Sequence, residues 1–378
     1  MMNWTWVDLA LFLFVALMMG FVATAHLWRE VKPYDDPYLY FREKKWFPSR
    51  MALNPVGFVV GIFMIVYIHM TISREREDLF LPIMAHFGSV TLFITIYYSI
   101  LALFQPLLRK RYQSTTCATL WLMPNITYLF VANLSTPSYS LFTLRIPRLL
   151  LLTAGTVWAA GFLFIIARGI ISHLRFRKRL LADAYEANSH IRYLFWHEAK
   201  EALQSQSIFG ETYPIPMISP GITTPLAVGF TGNGKRVFLP EKEYTDEELI
   251  LIFRHEIVHL MRDDSFTKFY LLVCRALVWF LPTAKTVCDR AAEDMELSCD
   301  ELVLTYAGSE VREQYAELIL NTAATAEGFT TCLSASAEGM KYRLERILYP
   351  EKRKKGIVMI ILVTALMLLS GSLVTITY

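Results

Sequence analysis

Paired cysteines and excess charge are both scarce in this sequence. Its five cysteines are spread over 378 residues, and no two form a C-x-x-C pair. This spacing does not fit a disulfide framework or a zinc–thiolate site, and it predicts free thiols in a reducing compartment. Charged residues are 19% of the chain, against about 25% in typical soluble proteins. The net charge of +3 is too small to indicate direct nucleic-acid binding.

Apolar residues make up 54% of the chain and are concentrated in long uncharged runs, which indicates a membrane protein. The first run, Val7 to Leu27, has no basic segment before it and no small-residue cleavage site after it, so we predict an uncleaved span. A weaker run, Cys117 to Leu134, contains Pro124 and two asparagines. The other predicted spans are approximately Val56 to Ile72, Leu79 to Phe104, Leu149 to Ile171 and Ile357 to Thr375.

Basic clusters place the remaining part of the chain on one side of the membrane. Arg175–Arg179 and Lys352–Lys355 flank a stretch of ordinary charge density, and basic residues collect on the cytoplasmic side of spans. We therefore predict a mainly α, polytopic protein with about six transmembrane helices and a cytoplasmic α+β domain before the last span. The predicted domains are a membrane domain of about five spans at 1–171, the cytoplasmic domain at 172–355 and a last transmembrane helix at 356–378.

One motif in the predicted cytoplasmic domain indicates a catalytic metal site. His255-Glu256-Ile257-Val258-His259 is an H-E-x-x-H sequence in a segment that Thr245 and Glu248 open as a capping box. On a helix, His255 and His259 lie on one face and form two corners of a tetrahedral zinc site. Glu256 can then act as a general base on water. The alternative is a buried helix with two structural histidines.

A third ligand should come from another element, because catalytic zinc commonly has three protein ligands. Ala284 to Tyr306 is helical in character and carries Glu293, Glu296 and Asp300 on one face. We expect one carboxylate to bind the metal and another to orient a histidine. Spacing alone leaves Glu293 and Glu296 open, and a merely solvated acidic face is the alternative.

Two strand-like runs precede the H-E-x-x-H segment. Leu226–Phe230 and Arg236–Leu239 are joined by turn residues, which predicts a hairpin whose outer edge can bind an extended substrate. The substrate-strand candidates are Leu226, Val228 and Phe230; a purely structural hairpin is equally compatible. Further upstream, Leu180 to Gln206 is predicted to be one helix, with His197-Glu198 on a solvated face.

Three segments resemble a known family. Arg254–His259 followed by Asp264, Trp279–Pro282 and Glu296–Glu301 resemble the cytoplasmic protease of BlaR/MecR-type sensor-transducers. These are gluzincin membrane metallopeptidases, and the chain is also similar to CAAX-prenyl endopeptidases. The resemblance implies a Zn²⁺ site of His255, His259 and Glu296, with Asp300 behind it and Glu256 as the catalytic base.

The resemblance also implies a function. It implies a regulatory, signal-transducing endopeptidase of the bacterial plasma membrane that cleaves itself, a cytosolic transcriptional repressor, or both. The segment Gly328–Lys341 is the candidate for self-cleavage, with a plain linker as the alternative. Expected partners are the lipid bilayer and the protein substrate, and a second copy of the chain is a further candidate. The beta-lactam sensors of this family carry a penicillin-binding domain after the last span, which we do not expect in a chain ending at Tyr378.

Two other functions remain open from the sequence. A membrane receptor could use a protease-like domain to transmit conformation without proteolysis. A housekeeping membrane protease of CAAX-endopeptidase type would carry the same ligand motif. Neither the sensed signal nor a residue that stabilises the oxyanion is identified by a sequence pattern.

Overall fold

The computed structural model describes residues 80–122, 142–204, 215–229, 235–262, 264–282, 284–324, 337–369 and 374–378. These residues are mostly helical and include a small sheet, as the predicted fold class requires. The helices are α1 Phe80–Arg111, α2 Ser114–Leu122, α3 Arg148–Ala182, α4 Ser189–Gln204, α5 Asp246–Met261, α6 Asp264–Leu277, α7 Ala284–Val303, α8 Ser309–Ala324, α9 Ala337–Leu348 and α10 Ile357–Leu369. The strands are β1 Phe142–Arg145, β2 Tyr185–Glu186, β3 Met217–Ser219, β4 Leu226–Val228, β5 Arg236–Pro240 and β6 Val374–Thr377.

Two of the described helices are long and apolar enough to cross a membrane. They are Phe87–Arg111 within α1 and Arg148–Ala182, which is all of α3. Most of the apolar surface of α3 is exposed in the isolated chain, as expected of a helix that faces lipid. The predicted spans Val7–Leu27 and Val56–Ile72 lie outside the described residues. The six-span topology and the domain boundaries therefore stay predictions.

Glycines let α3 pack closely against α6. A Cβ atom at Gly161 would overlap the Trp279 indole just after α6, and one at Gly169 would overlap the Leu272 side chain. The Trp158 indole also donates a hydrogen bond to the Leu277 carbonyl at 2.9 Å. These contacts attach α6 to a candidate membrane helix.

The main sheet has the strand order β2–β3–β5–β4. Strands β4 and β5 pair antiparallel with Leu226 opposite Phe238, so the predicted hairpin is confirmed, although its turn lies outside the described residues. The prediction of one helix from Leu180 to Gln206 is wrong. The chain leaves α3 after Ala182 and forms β2, because Tyr185 and Glu186 pair with β3.

Helix α7 lies between two hydrophobic cores. One face, with Ala291 and Met295, packs into a cluster formed by α1, α2 and α6. Cys299 on the same helix lies in the second cluster, with Phe253 and Ile257 of α5 and residues of α4, α8 and the sheet. Helix α7 is therefore positioned by α1, α2 and α6 on one side and by the H-E-x-x-H helix on the other.

Candidate metal centre

The capping box predicted at the start of α5 is present. Thr245 Oγ1 accepts a hydrogen bond from the Glu248 backbone N–H at 3.2 Å, and the Glu248 carboxylate accepts one from Thr245 N–H at 2.9 Å. This cap fixes where the helix begins. His255 and His259 therefore lie one turn apart on the same face, where their Nε2 atoms are 3.0 Å apart.

A carboxylate from α7 faces both imidazoles. Glu296 Oε2 lies 3.5 Å from His255 Nε2 and 3.5 Å from His259 Nε2. Ligand atoms on one tetrahedral zinc ion lie about 3.3 Å apart, since zinc–nitrogen bonds are about 2.0–2.1 Å. The three side chains are also largely buried, which strengthens the interaction of their lone pairs with a cation. The arrangement fits a divalent metal ion.

The other glutamate that spacing left open lies elsewhere. Glu293 accepts a hydrogen bond from the Arg109 guanidinium at 3.1 Å, and the neighbouring Asp294 accepts one from Arg109 Nε at 2.8 Å. Arg109 belongs to α1, so these two acids connect α7 to a candidate membrane helix. Glu296 is thus the α7 glutamate that the fold brings to the two histidines.

His259 is oriented by an acid just beyond its own helix. Asp264 Oδ2 lies 2.6 Å from His259 Nδ1. Burial alone would raise the pKa of Asp264, but Arg262 and His259 reverse this effect and lower it. An ionised Asp264 holds the proton on Nδ1, which leaves the Nε2 lone pair facing Glu296 and the other histidine.

Replacing Asp264 with asparagine should weaken metal binding without removing a ligand. Loss of such an orienting carboxylate typically lowers metal affinity by about tenfold to a hundredfold. The affinity can be measured on the purified full chain by competition with a chromophoric chelator. Asp183→Asn changes an exposed aspartate at the end of α3 and should leave the affinity unchanged. Equal affinities in the two variants would contradict the orienting role of Asp264.

His255 is oriented through a tyrosine that the sequence did not point to. Tyr315 Oη lies 2.7 Å from His255 Nδ1 and donates a hydrogen bond to Asp300 Oδ1, also at 2.7 Å. Asp300 in turn accepts two hydrogen bonds from Arg343, at 2.6 and 2.8 Å. Asp300 itself is 3.5 Å from His255 Nδ1. The acid predicted to orient a histidine therefore contacts it mainly through Tyr315.

A cysteine lies beside the histidines, which the sequence did not lead us to expect. Cys299 Sγ is 3.5 Å from His255 Nδ1, and His255, His259 and Cys299 form a group whose ligand-type atoms all lie within 4.8 Å. The side chain is fully buried. Glu296 faces the Nε2 edge of His255, whereas Cys299 lies at the Nδ1 edge, where Tyr315 also bonds. The free state predicted for the cysteines is confirmed for those described, Cys117, Cys274, Cys288 and Cys299.

Electrostatics favour a positive charge at this centre. Burial alone would lower the pKa of His255, but Cys299 and Glu296 reverse this effect and raise it to about 10. Burial alone would raise the pKa of Glu296, but His259, Lys268 and His255 hold it well below its usual range. The anionic groups around the two imidazoles attract positive charge and so stabilise a proton on the rings. The same attraction would stabilise a divalent cation that displaces the proton.

The residues around the H-E-x-x-H motif are buried. Glu256 is only 6% exposed. Just before the motif, Arg254 Nε donates to Glu198 at 2.8 Å, and Glu198 is 7% exposed. The prediction that His197-Glu198 lies on a solvated face is therefore wrong for Glu198. The reason is tertiary: α4 packs against α5, so Arg254 covers the carboxylate.

The three substrate-strand candidates differ in burial and in whether the structure describes them. Leu226 is buried and Val228 is half-buried, while Phe230 lies outside the described residues. Strand β4 is at one end of the main sheet, with β5 on its inner side. Within the described part of the chain, its outer edge is the place where an added strand could pair.

Two comparisons with known proteins identify the family of this chain. Residues 131–348, more than half of the chain, match the family model described as BlaR1 peptidase M56. The chain is also 24% identical over 189 residues to the Regulatory protein BlaR1 of Bacillus licheniformis. That match covers 50% of this chain and 30% of the relative's length. The family match covers α5 and α7 with both histidines and Glu296, and the chain belongs to the BlaR1 peptidase M56 family of metallopeptidases.

Proposed function

We propose that this protein is a zinc-dependent endopeptidase that acts at the inner face of a bacterial plasma membrane. Its regulatory role would be to cleave itself, a cytosolic transcriptional repressor, or both. The observation that carries the proposal is the convergence of Glu296 Oε2 on His255 Nε2 and His259 Nε2 at 3.5 Å from each. Membership of a regulatory peptidase family supports the same conclusion.

The donor set favours zinc among the common metal ions. Two imidazoles and one carboxylate are the ligands of many catalytic zinc sites, which keep a further position open. Calcium and magnesium prefer oxygen ligands throughout. At His255, His259 and Glu296, zinc would supply Lewis acidity that makes water more nucleophilic and polarises the scissile carbonyl.

The chain's own residues would handle the proton and hold the substrate. Glu256 would take the proton from the attacking water and pass it to the leaving amine, so the amide bond is replaced by a carboxylate and a free amine. Asp264 and the Tyr315–Asp300 pair hold the imidazoles in the tautomer that presents Nε2. The outer edge of β4 would align an extended peptide as an added strand.

The buried supports of the histidines favour an enzyme over a non-proteolytic receptor. Asp300 is 4% exposed and Asp264 1% exposed, so both acids are held in the interior by Arg343 and Arg262. Burying a carboxylate is costly unless it is paired and hydrogen-bonded, and both acids are kept in the interior together with the arginines that pair with them. A receptor that only transmits conformation has no need of this tautomer control.

Removal of the metal tests the proposed function. A strong chelator added to membranes containing the full chain should abolish its cleavage products, because the water then lacks its activating ion. Zinc should restore the products and magnesium should not. Mass spectrometry of the membrane and cytosolic fractions measures the fragments and identifies the substrate. Fragments that persist unchanged under chelation would contradict a metallopeptidase, and fragments from many unfolded proteins would indicate a housekeeping protease instead.

A further inference from the structure

A cavity of about 390 Å³ lies against the C-terminal half of α7. Its wall is built by the C-terminal half of α7, by α8, by the end of α9 and by residues 350–353. Four basic side chains line it: Arg312, Arg346, Lys352 and Arg353. A concave site with converging cations is the form expected of an anion-binding pocket.

The carboxylates in the same wall are already neutralised. Asp300 forms an ion pair with Arg343, with 2.6 Å between Oδ2 and Nε. Glu351 forms one with Arg353, with 3.0 Å between Oε2 and Nη2. Glu301 forms an ion pair with Arg346 and accepts a hydrogen bond from Ser114 at 2.9 Å.

Arg312 differs from these paired cations. Its three nitrogens donate hydrogen bonds to the backbone carbonyls of Ala307, Ile347 and Leu304. Arg312 thereby caps the C-terminal ends of α7 and α9. These bonds supply no negative charge, and burial lowers the pKa of Arg312. Burial, together with the nearby charge of Arg353, likewise lowers the pKa of Arg346 to about 10. The cavity therefore retains positive charge that an anion would stabilise.

Two polar atoms in the wall have no hydrogen-bond partner among the described residues. They are the Arg353 Nε donor and the Gln113 Oε1 acceptor, and both are buried. The Arg353 side chain is only 8% exposed. Buried polar groups nearly always have partners, so a molecule that pairs with both atoms would be stabilised in this cavity. An anionic oxygen satisfies the arginine, and a hydroxyl group of the same occupant satisfies the glutamine.

The cavity lies where the end of α1 meets the segment that precedes α10. Gln113 follows α1, and its backbone N–H bonds the Lys354 carbonyl at 3.2 Å, just before α10 begins at Ile357. The Lys354 N–H bonds the Arg111 carbonyl in return, at 3.0 Å. Arg111 ends the candidate span of α1, so in the predicted topology the cavity would lie at the level of the lipid phosphate groups.

We propose that this cavity binds a phosphate-bearing anion that also carries a free hydroxyl group, through Arg353, Lys352 and Gln113. Glycerol phosphate has this chemistry, either as a soluble ester or as the head group of phosphatidylglycerol. The occupant would lie beside Asp300, which is in the wall and also accepts the hydrogen bond of Tyr315. The site does not depend on proteolysis, so it can be tested whether or not the chain cleaves peptides.

The first experiment measures the soluble ligand. The full chain is purified in an uncharged detergent, freed of anionic lipid, and titrated with glycerol phosphate by calorimetry. The parent should bind it saturably, and Lys352→Gln/Arg353→Gln should bind it at least about tenfold more weakly, because charge-assisted hydrogen bonds are lost. Arg175→Gln/Lys178→Gln removes the same charge from exposed residues of α3 and should bind like the parent.

The second experiment measures the lipid. The three proteins are placed in bilayer discs of phosphatidylcholine with phosphatidylglycerol, and native mass spectrometry counts the phosphatidylglycerol retained after release. Retention by the parent and the α3 variant, but not by the cavity variant, supports the lipid as the occupant. Calorimetric binding with the same pattern supports the soluble ester.

Two results would overturn the proposal. One is a parent chain that binds neither probe. The other is equal binding by the cavity and α3 variants, which would show general attraction to basic surface. Lys352→Gln alone is the control for misfolding of the double variant. Lys352 is exposed, and its replacement leaves the Arg353–Glu351 pair in place. It should weaken binding in the same direction, with an unchanged unfolding midpoint.

Discussion

Glu256→Gln should remove cleavage while leaving the metal and the fold in place. General-base catalysis contributes about a hundredfold to ten-thousandfold in rate, and an amide cannot accept the proton of the attacking water. The replacement has the same shape, so the buried position beside His255 is filled as before. Metal content should be unchanged, because the three atoms that converge belong to His255, His259 and Glu296.

The measurement compares fragments from cells that produce the parent or the variant. Glu247→Gln is the matched control, because it makes the same chemical change at an exposed position on the same helix. It should give the parent's fragments in the parent's amounts. If Glu256→Gln yielded these fragments too, with full metal content, another group would have to be the base and the proposed mechanism would be wrong.

The H-E-x-x-H helix could be predicted because its determinants are local. The Thr245–Glu248 box and the spacing of the histidines lie within a short segment, and helical geometry alone places both imidazoles on one face. The same holds for the β4–β5 hairpin, whose strands are adjacent in the chain.

The rest of the site depends on contacts between distant segments. Glu293 and Glu296 are equivalent by spacing, but in the fold Glu293 pairs with Arg109 of α1 while Glu296 faces the histidines. Tyr315 is separated from His255 by 60 positions, and no pattern in α8 distinguishes it. Glu198 is buried where α4 packs against α5, and it pairs there with Arg254. Local sequence cannot supply these partners, since each is chosen by tertiary packing.

The position of Cys299 leaves the identity of the third metal ligand to be tested against Glu296. It lies with both histidines in one metal-capable group, and the neighbouring imidazoles lower the pKa of its thiol to about 7 against the effect of burial. A thiolate would be a strong zinc ligand. However, Cys299 lies at the Nδ1 edge of His255, which Tyr315 also bonds, whereas Glu296 lies at the Nε2 edge shared with His259.

Glu296→Ala should therefore lose the metal, and Cys299→Ala should keep it. Removing a ligand should cost more affinity than the about tenfold to a hundredfold expected for an orienting carboxylate. Zinc content by elemental analysis measures the loss, and X-ray absorption of the parent identifies the donors. Nitrogen and oxygen at about 2.0–2.2 Å are expected without sulfur at about 2.3 Å. A sulfur shell that disappears in Cys299→Ala, together with zinc retained in Glu296→Ala, would assign the third position to the thiolate.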